Sequence, residues 1–209
     1  MTYPFDASTR HDIAERCAAF SRATAGDATP ALKHAAVAVA LVESENPAGA
    51  TAFVLTRRTA DLRAHRNQWA LPGGRCDDGE TPAAAALREL SEEVGLHLAP
   101  DAVLGLLDDY PTRSGYLITP VVVWADGKAD LRPSAAEVAS VHRIPLAAIV
   151  ADAFDFVTIP ESDRRVVRVH IGRHRIHAPT AAVIYQFSEL LAGRTTRVAD
   201  LEQPVFAWR

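Results

Sequence analysis

Cysteine is scarce in this chain of 209 residues: Cys17 and Cys76 are the only two. They imply no disulfide framework, and a reducing, cytoplasmic setting is the expectation. No apolar run reaches the ~18 residues that a membrane span needs. Residues 1–12 lack the basic-then-apolar pattern of a secretory signal. Positive charge is not in excess either: 22 Lys and Arg stand against 26 Asp and Glu, a net charge of −4. That balance speaks against a general nucleic-acid-coating role. No internal repeat, low-complexity tract or linker interrupts the chain. What remains is an ordinary globular composition, 48% hydrophobic and 23% charged, with ample length for a core. One domain over residues 1–209 is expected, with residues 1–30 as an N-terminal helical extension.

Periodicity supplies the elements. Residues 8–24 carry Ile13, Cys17 and Phe20 at helical spacing, and 26–30 read as a connector. The β-branched run at 33–42 predicts a buried strand, followed by a loop at 43–50 and an antiparallel strand at 51–56. Further strands are predicted at 103–107 and 117–124, joined by a polar loop at 108–115. Another is predicted at 136–143, with a short helix at 145–151. Residues 166–171 and 174–178 predict a hairpin turning at Gly172-Arg173. A final helix over 180–192 ends at Gly193. The sum is an α/β fold with a mixed sheet between helices, its strand order left open.

The most informative stretch is 74–96. Thr81 can cap a helix, Pro82 suits its first position and Gly95 can close it, so a helix is predicted over 82–94. Glu89, Glu92 and Glu93 crowd its C-terminal half. Acids there oppose the helix dipole at about 0.3–1 kcal/mol each, and like charges three or four apart add roughly 0.2–0.5 kcal/mol per pair. A cation held by the three acids would offset those costs, and the spacing puts them on one helix face. Carboxylate oxygens suit hard ions, which favours Mg²⁺ or Mn²⁺ over Zn²⁺. A solvated acidic face is the plainer alternative. Ahead of the helix, Pro72-Gly73-Gly74 and Asp78-Gly79 form a turn whose backbone can approach a ligand closely.

Nine positions at fixed spacing then resemble one family pattern: Gly74, Glu80, Arg88, Glu89, Leu90, Glu92, Glu93, Gly95 and Leu96. This is similar to the Nudix box. The resemblance implies an α/β/α sandwich and Mg²⁺- or Mn²⁺-assisted hydrolysis of a diphosphate joined to another group. It implies metal binding by Glu89, Glu92 and Glu93, with the Gly74 carbonyl as an extra ligand. Arg88 is expected to orient the acids, Glu80 among them, with direct phosphate contact as the alternative. The candidates for general base are Glu93, Glu92 and Glu137. Ala83 to Ala86 read as structural, letting the helix lie close to the sheet.

The preceding segment resembles the signature of coenzyme A pyrophosphatases. Leu55, Thr56, Arg63, Pro72, Gly73 and Gly74 agree, and Val54 is conservative. Thr59, Asn67 and Leu71 depart, standing where Ser or Ala, Gly and Phe are expected. Residues 118–122 and Thr180-Ala181 also look like that subfamily. Cleavage of coenzyme A or acyl-coenzyme A would give 3′,5′-ADP and (acyl-)4′-phosphopantetheine. Arg57, Arg58, Arg63, His65 and Arg66 could hold the polyanion, with Gly73 close to the substrate, or form a solvated basic face. ADP-ribose, NADH or nucleoside triphosphates are alternative substrates, and a non-catalytic nucleotide-sensing module is a third reading.

Other features read as structural. His170, His174 and His177 do not make a metal site by strand alternation. Arg164, Arg165, Arg168, Arg173 and Arg175 form a second basic region, read as solvated or dimer-facing in preference to a substrate clamp. Trp69 reads as core in preference to packing beside the site, Trp208 as an anchor of the tail, and Cys76 has no base nearby in sequence. Neither a nucleic-acid nor a membrane partner is expected. A homodimer follows from the family resemblance alone.

Overall fold

The computed structural model describes residues 3–24, 32–59, 67–127 and 129–204. The predicted connector at 26–30, Arg63, His65, Arg66 and Trp208 lie outside them. In chain order the elements are α1 (Ala7–Ala19), β1 (Lys33–Glu45), β2 (Ala48–Arg58), β3 (Trp69–Ala70), β4 (Gly73–Arg75), α2 (Pro82–Val94), β5 (Val103–Leu106), β6 (Tyr110–Pro111), β7 (Tyr116–Trp124), β8 (Val138–Pro145), β9 (Phe154–Ile159), β10 (Ser162–Ile171), β11 (His174–His177) and α3 (Thr180–Leu191).

Alternation along β1 sets the layers. Ala36, Ala38, Ala40 and Val42 join one core, while Val39 and Leu41 join the other, as a side-chain period of two requires. Ala85, Ala86, Leu90 and Val94 of α2 pack on the alanine face. Alanine against alanine lets this helix lie close to the sheet. Thr81 Oγ1 accepts from Ala84 N at 3.2 Å, Pro82 opens the helix, and Gly95 closes it with φ 68°. The predicted bounds of 82–94 are the observed ones. On the opposite face, Ile13 and Cys17 of α1 and Ile184 and Phe187 of α3 cover Val39, Leu41 and Phe53. The result is an α/β/α sandwich.

The sheet has eight strands in the order β3-β2-β1-β7-β5, with β4 also on β1, β6 on β7 and β8 on β2. β1 and β7 run parallel, from Lys33 opposite Tyr116 to Leu41 opposite Trp124. β1 and β2 pair antiparallel from Glu45 and Ala48 to Leu41 and Phe53. Past that point their pairing ceases, and residues 69–75 bridge the gap. β3 takes Thr56 and Arg57 of β2, and β4 takes Ala35 to Val37 of β1. This wedge carries the Gly-rich turn into the sheet.

Some elements differ from expectation. The strands invade the predicted loop at 43–50, leaving a tight turn at Asn46-Pro47. The predicted polar loop at 108–115 contains β6. The short helix expected at 145–151 is a pair of 3₁₀ turns, Leu146–Ile149 and Ala151–Ala153. β9 was not anticipated; nearly all its side chains are half-buried, so no alternation marks it. It joins the predicted hairpin to make a separate sheet, β11-β10-β9, whose Val167, Val169 and Ile176 pack into the α3 core.

A buried acid pair fastens distant segments. Asp108 accepts from Arg197 Nη1 at 2.7 Å, Gln186 Nε2 at 2.8 Å and Ala23 N at 2.6 Å. Asp109 pairs with Arg22 and accepts from Thr119 Oγ1 at 2.6 Å. Among the described residues no helix is long and apolar enough to cross a membrane.

The alanine contact yields a test. Ala38 is fully buried, so Ala38→Leu is expected to lower stability by about 1–3 kcal/mol through overpacking. An unchanged urea midpoint would mean that the helix does not rest on this row.

Candidate active site

Absent side chains at Gly73 and Gly74 make room for the acids. Gly74 lies opposite Ala36 in the β4–β1 pairing, and a Cβ on it would overlap the Glu89 carboxylate. A Cβ on Gly73 would strike the Ala36 carbonyl and Val37. Glu93 reaches the same turn: Gly73 N donates to its Oε2 at 3.3 Å. Two helix acids one turn apart therefore lie against two consecutive glycines of the wedge.

Their surroundings differ. The Glu93 side chain is 3% exposed, and burial raises its carboxyl from the ordinary range to about 7. Glu89 and Glu137 add to the rise, while Arg58 and the Gly73 N–H oppose it. Glu89 is also raised, first by burial, then by Glu92 and Glu137, against the Arg88 hydrogen bond. Glu92 lies at the solvent side of this face: its side chain is 56% exposed. A helix face three or four residues wide still curves from core to solvent.

Arg88 gathers the acids. Its Nε and Nη2 donate to Glu80 at 3.0 Å each, and Nη1 donates to Glu89 at 2.8 Å and Glu92 at 3.1 Å. Nη2 also reaches the Arg75 carbonyl at 3.0 Å. Glu80 in turn accepts from Asp77 N at 2.9 Å. These charge-assisted bonds hold Glu80 below its usual carboxylate range, the Arg88 bond foremost, and raise Arg88 above its own.

Arg58 approaches from the other side. Its Nη1 lies 3.3 Å from Glu93 Oε1. Its Nε is buried with no hydrogen-bond partner among the described residues. Glu137 stands at the entrance to β8, its carbonyl accepting from Thr59 N at 3.0 Å. Its charge acts on both Glu89 and Glu93. Arg57 is exposed, with Nε 3.4 Å from the Asn67 carbonyl.

A cavity of about 340 Å³ opens beside Gly73, Gly74 and Arg58. Val37, Trp69, Leu71, Ile118 and Val183 give it apolar walls. Trp69, expected in the core, is half-buried and lines this cavity. Its ring meets His142 at 4.7 Å and His174 at 4.9 Å between centroids. His142 was not singled out in sequence and His174 only within a histidine triplet set aside as a metal site, because they come from β8 and β11 of different sheets and share no local motif. Asn67, which replaces an expected glycine, has φ 57°. That is the left-handed conformation glycine would supply, and asparagine tolerates it better than most residues. Among the described residues no group of three or more His, Cys, Asp or Glu side chains forms a ready-made metal cage.

The NUDIX domain family matches residues 32–162, a span that includes the acids, both glycines and Arg58. An uncharacterized Nudix hydrolase, NudL, of Photorhabdus laumondii is 33% identical over 161 residues, covering 75% of this chain and 84% of that protein. A NudL of Escherichia coli strain K12 is 39% identical over 116 residues, 55% of this chain and 58% of that protein. Among solved structures, a MutT/nudix family protein from Enterococcus faecalis superposes with a TM-score of 0.56 at 15% identity. That match covers 85% of this chain and 68% of the other and shows the shared fold. The chain belongs to the Nudix hydrolases, enzymes that act on pyrophosphate bonds.

The raised Glu93 carboxyl has a measurable consequence. The metal-free folded state binds this proton more tightly than the unfolded chain does. Its stabilising contribution is full below an unfolded pKa of about 4.3 and is lost as pH rises through about 7. In EDTA, thermal stability should fall over that interval, and less steeply in Glu93→Gln. Equal slopes in the two proteins would remove Glu93 as the source.

Proposed function

We propose that this Nudix hydrolase cleaves the diphosphate of coenzyme A or acyl-coenzyme A, releasing 3′,5′-ADP and (acyl-)4′-phosphopantetheine. The observation that carries the reading is one juxtaposition. Glu89 and Glu93 meet the Gly73-Gly74 turn where the turn borders an apolar cavity. The coenzyme A choice draws on the agreement at Leu55, Thr56, Pro72, Gly73 and Gly74. It also draws on Asn67, whose φ of 57° keeps the backbone that the signature glycine would have. Leu71 in place of Phe remains buried in the cavity wall. Arg63 and His65 complete the proposed substrate contacts from outside the described residues.

A divalent ion fits the donor set. Every candidate ligand is oxygen: the carboxylates of Glu89, Glu93 and Glu92 and the carbonyl of Gly74. Mg²⁺ takes one or two carboxylates and fills its shell with water and substrate phosphate, so an acid pair suits it without a closed cage. When bound, such an ion neutralises diphosphate charge and polarises the P–O bond. Mn²⁺ accepts the same oxygen donors.

The chain's own residues supply the rest. Arg88 fixes Glu89, Glu92 and Glu80 relative to one another, so the carboxylates need not reorganise when substrate arrives. The Arg58 Nε, without a hydrogen-bond partner among the described residues, donates to a phosphate oxygen. The Glu93 carboxylate, beside the Gly73-Gly74 turn, takes the proton from the attacking water. Glu137, whose charge keeps the Glu93 proton affinity high, tunes that acceptor from the mouth of β8.

Product analysis tests the reading. Purified protein with Mg²⁺ or Mn²⁺ is offered coenzyme A, dephospho-coenzyme A, ADP-ribose, NADH and nucleoside triphosphates. Release of 3′,5′-ADP is expected, reduced roughly 10²–10⁴-fold in Glu93→Gln and less in Glu137→Gln. A larger loss in Glu137→Gln would make Glu137 the base. Preferential turnover of ADP-ribose, NADH or a triphosphate would replace coenzyme A as the substrate. Binding of these nucleotides without turnover would support a sensing module instead.

A further inference from the structure

We propose that a second cavity beside the first is a phosphomonoester subsite, built by the β10–β11 hairpin and closed by the start of α3. It has a volume of about 210 Å³ and is lined by Asn67, Trp69, Arg175, His177 and Thr180, among others. It shares Gln68, Trp69, Pro179 and Thr180 with the larger cavity. A ligand that passes Trp69 from the diphosphate end therefore arrives at Arg175 and His177.

The charge of this second cavity suits an anion. Arg168 and His170 both engage Asp155, whereas Arg175 takes no part in those pairs. His177 is half-buried, and burial, Arg168 and Arg175 together hold its imidazole below the usual pKa. Asp155 opposes that shift, and His177 forms cavity wall beside Arg175. Arg57, hydrogen-bonded to the Asn67 carbonyl, adds positive charge behind that wall. The first turn of α3 contributes no acidic residue and has no side-chain cap. The anion-binding group is the Arg175 guanidinium of the hairpin; the helix start only adds to its field.

Geometry then orders the ligand. The acids lie at the Gly73-Gly74 end of the first cavity, the aromatic Trp69 lines both cavities, and Arg175 lies in the second. A nucleoside would occupy the apolar walls, with its diphosphate at the acids and a further phosphate on its ribose in the second cavity. In identifying that nucleoside as the 3′-phosphoadenosine half of coenzyme A, the inference rests on the reading above. It gives the second basic region, read from sequence as solvated or dimer-facing, a ligand of its own.

Calorimetric titration with 3′,5′-ADP and with AMP tests the subsite without turnover. Wild-type protein should bind 3′,5′-ADP roughly tenfold or more tightly than AMP. Arg175→Gln, a change at an exposed strand position, should abolish that advantage while leaving AMP binding unchanged. Equal affinities in wild type, or an advantage retained in Arg175→Gln, would overturn the proposal. The wild-type comparison stands even if the variant folds poorly. Coenzyme A turnover, followed in parallel, judges the substrate reading separately. Turnover with equal nucleotide affinities removes the subsite and keeps the substrate. A 3′-phosphate advantage lost in Arg175→Gln, without coenzyme A turnover, keeps the subsite and removes that substrate.

Discussion

Close approach of a helix to a bare backbone is the constraint on which the site depends. The Glu89 carboxylate occupies the space that any side chain at position 74 would need. The strand under it is held in turn by β1, whose Ala36 leaves no room for a Cβ on Gly73. Small residues recur at each level: alanines under the helix, alanines on the helix, glycines in the wedge. Their shared property is thinness, and thinness lets charged groups meet backbone at short range.

Crowding acids there would be unstable without compensation, and two arginines supply it from opposite sides. Arg88 binds four partners at 2.8–3.1 Å and acts as a rigid crosslink. Among the described residues Arg58 makes one longer contact of 3.3 Å with Glu93, and its buried Nε has no hydrogen-bond partner. One arginine is therefore saturated by the architecture, and the other is the one proposed to face the ligand. Their exposure is similar, 29% and 24%, so the distinction lies in saturation of the fork and not in burial.

Local rules made the helix legible. Thr81, Pro82 and Gly95 fix its ends by capping chemistry that involves only neighbouring residues. The antiparallel partner β2 of β1 and the β10–β11 hairpin were legible for similar reasons, through short apolar runs and a glycine turn. β9 was not, because a strand half-buried along its length has no contrasting faces to alternate between. Nor was the meeting of Trp69 with His142 and His174, whose proximity arises from two sheets docking. Sequence spacing placed Glu89, Glu92 and Glu93 on one face but could not tell which end of that face dips into the core. That depends on how the helix is rotated against the sheet, a tertiary fact.

The parallel pairing of β1 with β7 carries a consequence for how the molecule assembles. Val37 must find Pro120, and Leu41 must find Trp124, across a loop that contains β2, the wedge, the box helix and β5. Closing a long loop costs entropy before any contact rewards it, and topologies rich in such distant pairs fold slowly. The acids and the glycines they cover are neighbours in the chain and can meet early. The strand beneath them waits for a partner synthesised much later. During synthesis, the reactive end of this enzyme is near to hand before its floor is finished, and the bare edge of β1 is the surface most in need of protection until β7 emerges.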